Sequence, residues 1–161
     1  MKTCFFIGHR EAGDELFPLL IKTVEHYVLE YGVTQFVVGN YGGFDRVAAQ
    51  VIKKIKQKYC AVTLLLLLPY HPSKCPIQTP DGFDGTYYPD GMETVPARFA
   101  IVRANRLMVD RSDFLIAFSW RTASNAGKLL EYAQKRAQQG LIQVENLAEQ
   151  FPIPQARFEQ N

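Results

Sequence analysis

Cysteine is scarce in this chain. Cys4, Cys60 and Cys75 are odd in number and form no Cys-x-x-Cys pair. That argues against a disulfide framework or a thiolate metal site and implies free thiols in a reducing, cytoplasmic setting. Charge of one sign is not in excess either. The 18 basic residues face 16 acidic ones, a net charge of +2, too even for bulk attraction to nucleic acid or a membrane surface. Long apolar runs are missing: the longest, 61–69, contains Thr63 and falls far short of the roughly 20 residues that span a bilayer. The N-terminus offers only Cys4 to Ile7 before Gly8-His9-Arg10, so it has no signal-peptide h-region. His71 and Cys75 alone do not make a metal site, and neither metal nor cofactor is expected. No internal repeat or low-complexity tract is present.

What is present is a packed α/β pattern. With 161 residues, 47% of them hydrophobic, one compact domain with a real core is expected. The elements read strand, helix, strand, helix, strand, long loop, helix, strand, helix, strand. Cys4–Ile7 is a buried strand. Leu16, Leu19, Leu20, Val24, Tyr27, Val28 and Tyr31 fall on one helical stripe, which Gly32 closes. Gln35–Val38 leads into a helix over about 43–59. Val62–Leu68 is apolar on both faces apart from Thr63, so it belongs inside a parallel sheet. A helix over 97–109 has Phe99, Ala100, Val102 and Leu107 as its apolar content. Asp113–Phe118, a helix over 126–139 with Leu129, Leu130, Ala133 and Ala137 inward, and a short strand Leu141–Val144 complete the domain. The spacing therefore predicts an α/β fold. It is a Rossmann-like three-layer α/β/α arrangement with a mostly parallel sheet of about five or more strands. Residues 1–146 form the domain, and 147–161, with Pro152 and Pro154, form a surface tail. Residues 70–95 are rich in Pro and Gly but carry Tyr70, Phe83, Tyr87 and Tyr88, which favours an ordered loop near the ligand site.

The most pointed motif is Gly39-Asn-Tyr-Gly-Gly-Phe-Asp45, set between a strand and an amphipathic helix. Such a turn brings backbone N–H groups to a ligand, and the helix dipole favours an anion, usually a phosphate. It is neither the dinucleotide G-x-G-x-x-G nor a P-loop. In open α/β sheets ligands lie at the carboxyl ends of the strands. Three turns meet that rule: Gly8-His9-Arg10, Gly39 to Asp45, and Ser119 to Asn125. The candidate ligand contacts are Gly8, His9, Arg10, Gly39, Tyr41, Gly42, Gly43, Asp45, Tyr70, Ser124, Asn125 and Ala126. Arg10 can grip phosphate oxygens in bidentate fashion. The glycines can equally serve positive φ in a tight turn, Asp45 the helix dipole, and Ser124 and Asn125 a helix cap. Tyr70 and Trp120 are candidate base-stacking platforms. Arg103 and Arg106 share a helix face and could neutralise a phosphate or a transition state. Glu131, two turns into its helix, is the candidate general acid or base.

Taken in order and spacing, these motifs resemble the SLOG superfamily over about residues 3–146. They are Phe6-Ile7-Gly8-His9-Arg10, Gly39 through Ala49, Leu68-Pro-Tyr70, Tyr88-Pro-Asp-Gly91, Arg103-Ala-Asn-Arg-Leu-Met108 and Ser112-Asp113. That superfamily of Rossmann-like domains includes the DNA-processing protein A (Smf) proteins, the "lonely guy" phosphoribohydrolases and nucleotide-sensing modules. The resemblance is to a bacterial subfamily of unassigned function. It implies binding of a nucleotide or nucleotide-derived signal, ADP-ribose-like or cyclic-nucleotide-like, and a homo-oligomer. In the phosphoribohydrolases a Pro-Gly-Gly-x-Gly-Thr-x-x-Glu turn follows the strand after the Ser-Asp pair. Here the stretch is Arg121-Thr-Ala-Ser-Asn-Ala-Gly-Lys-Leu-Leu-Glu131, with Ser124-Asn125 in the Gly-Gly region. Nucleotide binding is thus the leading expectation, and an N-glycoside hydrolase acting on nucleoside monophosphates is the alternative. Single-stranded DNA binding stands third, because the lysines of the second and fourth helices form no stripe that the even charge supports.

Overall fold

The computed structural model describes residues 1–150. Six strands form one sheet: β1 (Lys2–Gly8), β2 (Val33–Val38), β3 (Thr63–Leu67), β4 (Gly85–Tyr87), β5 (Phe114–Phe118) and β6 (Gln143–Asn146). Their order is β4-β3-β2-β1-β5-β6, with every neighbouring pair parallel. The helices are α1 (Phe17–Tyr31), α2 (Gly43–Lys58), α3 (Ala100–Arg111) and α4 (Asn125–Gln138). None of the described helices is long and apolar enough to cross a membrane.

The period-2 alternation of the strands feeds two cores. Cys4, Phe6, Phe36, Val38, Ile116 and Phe118 pack against α1 and α2 on one face. Phe5, Ile7, Val37, Leu115 and Ala117 pack against α3 and α4 on the other. This is the three-layer Rossmann-like arrangement the sequence predicts. From β1 the chain winds outward through β2 and β3. It then returns to lay β5 on the other side of β1 and winds the opposite way. The reversal point between β1 and β5 is where an open α/β sheet leaves a crevice.

The structure differs from the sequence reading in four places. The 70–95 segment contains β4, a three-residue edge strand paired with β3. It is too short, and too weakened by Gly85, to show a period. It is held in place because Asp84 accepts from the Leu64 N–H at 2.8 Å and pairs with Lys56 at 2.6 Å, while Arg111 donates to Tyr87 Oη and the Asp90 carbonyl. The last strand lies two residues later than expected. Leu147, in a 3-10 turn, is fully buried, so the packed chain runs beyond 146; the rest of the tail, with Pro152 and Pro154, lies outside the described residues. Finally, α3 is preceded by a separate 3-10 turn, Ala97–Phe99. The inward face of α3 is Ala100, Ala104 and Met108 at i, i+4, i+8, which turns Phe99 and Val102 out to solvent, 51% and 50% exposed.

Phe44 is the keystone of the first core. It is fully buried, its ring is stacked on Phe118 at 6.1 Å, and it lies 6.3 Å from Phe6. A Cβ at Gly8 would come within 2.3 Å of that ring, so Gly8 makes room for it. Phe44→Ala is expected to cost about 3–5 kcal/mol, read as a lower urea midpoint at unchanged slope.

Candidate functional site

The carboxyl end of β1 runs into a loop that seats itself against α2. The Gly43 N–H donates to the Arg10 carbonyl at 2.9 Å and the Phe44 N–H to the His9 carbonyl at 3.3 Å. Two of the orphan donors of the α2 N-terminus are thereby satisfied by protein. The approach is close: a Cβ on Gly43 would lie 1.9 Å from the Ala12 carbonyl oxygen, and one on Gly42 would lie 2.8 Å from the Arg10 Cα. Gly39, Gly42 and Gly43 all lie outside the left-handed region, which Gly32, Gly82, Gly91 and Gly140 occupy. Gly42 and Gly43 serve close backbone contact, and a Cβ on Gly39 would come 3.0 Å from the Asp45 carboxylate. The N–H of Tyr41 is likewise taken, by the Asp45 carboxylate at 3.1 Å.

The end of β5 approaches the same loop from the other side. The His9 N–H donates to the Phe118 carbonyl, and the Trp120 N–H donates to His9 Nε2 at 3.0 Å. With Nε2 accepting, the neutral ring carries its proton on Nδ1. Burial, with help from the Arg121 charge, lowers the His9 pKa to about 4. His9 is therefore an uncharged strut. Trp120 packs edge-on against His9 and Phe118 with the Arg121 guanidinium 5.1 Å from its ring centroid. Beyond it Ser124 caps α4: its Oγ accepts from the Gly127 N–H at 3.0 Å and donates to the Arg121 carbonyl at 2.8 Å. Gly127 is required there, since a Cβ would sit 2.1 Å from that same carbonyl oxygen.

Between these loops lies a cavity of about 330 Å³. Its floor is the end of β1, including Gly8, His9 and Arg10. One wall is Gly39, Tyr41 and Asp45; the opposite wall is Arg121 and Ser124 to Ala126, with Arg106 and Asn105 of α3 at the rim. Its charged side chains are Arg10, Arg106, Arg121 and Lys128 against Glu11 and Asp45, an excess of positive charge. Arg121 Nη1 pairs with Glu11 at 3.3 Å, whereas Nη2 is buried with no hydrogen-bond partner among the described residues. Its own backbone N–H and the Arg121 guanidinium hold the Glu11 carboxyl below the usual range. Asp45 is the reverse case: burial pushes its pKa up to about 6, against the Tyr41 N–H.

Of the sequence-predicted contacts, Gly8, His9, Arg10, Gly39, Tyr41, Asp45, Ser124, Asn125 and Ala126 line this one cavity, and so does Arg106. Gly42, Gly43 and Tyr70 do not: the two glycines hold loop to helix, and Tyr70 packs against the second core. Trp120 is a packing residue, not an open platform. Arg103 faces a neighbouring groove. Glu131 is exposed and pairs with Lys135 one helical turn on, outside the cavity, so it is not placed to act on a ligand there. Residues the sequence reading passed over are Arg121, Glu11, Asn105 and Lys128. Arg121 could have been found by symmetry: it follows β5 as Arg10 follows β1, on the two strands that flank the reversal.

No protein-family model matches the chain, and a search of curated proteins finds no match. Among solved structures, DNA processing protein A from Streptococcus pneumoniae superposes with a TM-score of 0.58 at 14% identity. The match covers 96% of this chain but only 63% of that one. The chain has a DNA-processing-protein-A-like Rossmann fold. A second structure agrees, DNA processing protein A from Helicobacter pylori, with a TM-score of 0.52 at 17% identity over 89% of this chain and 74% of that one. That structure describes the single-stranded DNA binding mode of the Helicobacter protein. The shared fold is the one the SLOG resemblance implies.

The shifted carboxyl gives a pH signature. A carboxyl raised in the folded state stabilises the fold below its unfolded pKa and loses that contribution as pH rises through about 6. Asp45→Asn is therefore expected to match the wild type near pH 4. By pH 7.5 it should be more stable by about 1–3 kcal/mol. Paired denaturation curves across pH 4–8 check this; a gain that is independent of pH refutes it.

Proposed function

We propose that the cavity between β1 and β5 binds a nucleotide or nucleotide-derived ligand, with its phosphate on the Arg121 side and its sugar toward Asp45. The observation that carries the reading is the Arg121 guanidinium at the cavity wall: Nη1 pairs with Glu11, while Nη2 is buried with no hydrogen-bond partner among the described residues. A missing hydrogen bond of this kind costs roughly 1–3 kcal/mol, and a phosphate oxygen in the cavity would supply it once the side chain turns Nη2 toward the opening. Asn125 and Ala126, at the start of α4, line the same wall, so the helix dipole favours the same charge. On the facing wall, the Asp45 carboxylate is an acceptor suited to a ribose hydroxyl. The volume of about 330 Å³ lies at the small end of ligand pockets and fits one nucleotide unit.

Thermal melting with a panel of nucleoside monophosphates, ADP-ribose and cyclic nucleotides tests this. At a hundredfold excess over Kd, a true ligand raises the midpoint by roughly 5–10 °C. A panel that leaves the melting point unmoved refutes the reading. Arg121→Ala should weaken the best ligand at least about tenfold, while Glu131→Ala leaves its affinity unchanged.

Single-stranded DNA binding is a second reading, favoured by the fold shared with the Helicobacter protein and by exposed Arg98 and Arg103, the latter lining the groove beside the cavity. It predicts affinity for an unstructured oligonucleotide that falls steeply with salt. Absent or salt-insensitive binding removes it.

A further inference from the structure

The cavity does not end at its rim. Val102 and Arg106 of α3 line it on one side and, on the other, line a second hollow of about 330 Å³ between α3 and α4. This groove has an aromatic and aliphatic lining: Phe99, Val102, Leu107 and Tyr132. Phe99 and Val102 are about half exposed although they are large and apolar. The cause is the register of α3, which turns its small residues inward. The groove is also cationic. Its single carboxylate, Asp110, is already answered by Arg136 Nε at 3.3 Å and by the Tyr132 hydroxyl. Arg103 and Arg106 form no ion pair among the described residues. The Arg106 guanidinium lies over the Tyr132 ring at 5.0 Å, which holds it on the ridge between the two hollows.

An apolar patch that shares its lining with the charged cavity, and whose arginines lie over rings (Arg98 over Phe99 at 4.7 Å, Arg106 over Tyr132) and pair with no carboxylate among the described residues, suits a planar base more than a second protein core. We infer that the α3–α4 groove is a second nucleoside subsite and that the ligand is a dinucleotide: one nucleoside in the deep cavity, the other against Phe99 and Val102, and the linking phosphate at Arg106. This rests on the nucleotide reading above and extends it from one unit to two.

The test compares the common nucleoside monophosphates, the matching phosphorylated dinucleotides and a ten-residue homo-oligonucleotide by calorimetric titration. Wild type is expected to bind its best dinucleotide at least about tenfold tighter than the corresponding monophosphate. Phe99→Ala should remove most of that advantage and leave monophosphate affinity and melting temperature unchanged, because Phe99 lies outside the deep cavity. If the monophosphate binds and the dinucleotide gains nothing, the second subsite is overturned while the nucleotide reading stands. If neither binds, both fall. A ten-residue oligonucleotide that binds a further tenfold tighter than the dinucleotide replaces this inference with an extended strand. Self-association that Phe99→Ala abolishes, with ligand selectivity intact, assigns the patch to a second copy of the chain and overturns it as well.

Discussion

The close backbone contact between the loop after β1 and the start of α2 is the constraint on which the site depends. The carbonyls of His9 and Arg10 receive the first N–H groups of α2, and Gly42 and Gly43 let the two segments touch. This contact fixes the height of Arg10 and Tyr41 above the sheet and keeps Phe44 in its place beneath Gly8. The glycine-rich turn, the feature that looks most like a phosphate cradle, uses three of its donors, the N–H groups of Tyr41, Gly43 and Phe44, on protein. On the other side of the crevice, where α4 begins, Arg121 Nη2 is left without a hydrogen-bond partner among the described residues.

The electrostatics follow from that division. His9 sits at the floor as a neutral acceptor, because a charged imidazole there would be desolvated beside Arg121. Asp45 faces the cavity with its ionised form disfavoured by burial. In their effect on stability the two oppose each other. Lowering the pH through the His9 range works against the fold, and raising it through the Asp45 range does so too. Between them the cavity presents uneven charge: Arg10, Arg106, Arg121 and Lys128 against two carboxylates, of which Glu11 is paired with Arg121 and Asp45 is buried.

The neighbouring groove arises from how α3 packs. Ala100, Ala104 and Met108 form the inward face of α3, and Phe99 and Val102 are left half exposed outside it. Because Arg106 is held over Tyr132, the ridge between the hollows is charged. The two recesses share Val102 and Arg106 in their linings, so the packing of α3 shapes both.

Most of the architecture was legible locally. The apolar runs Cys4–Ile7 and Phe114–Phe118, the stripe from Leu20 to Tyr27 and the stop at Gly32 each report burial through their own period, so strands, helices and the layered α/β class follow from sequence. So does the rim where the turns after β1, β2 and β5 meet, since strand ends in a parallel sheet share one edge. The three-residue β4 was not legible, because it has no period and exists only through pairing with β3. The roles of individual site residues were also hidden. Gly43 reads the same whether its N–H meets a phosphate or the Arg10 carbonyl, and Glu131 reads the same whether it points into a cavity or along a helix to Lys135. The sequence alone determined which segments are buried, because periodicity is a property of neighbouring residues. Only the tertiary structure decided which donors remain free for a ligand, because that depends on contacts between loops distant in the chain.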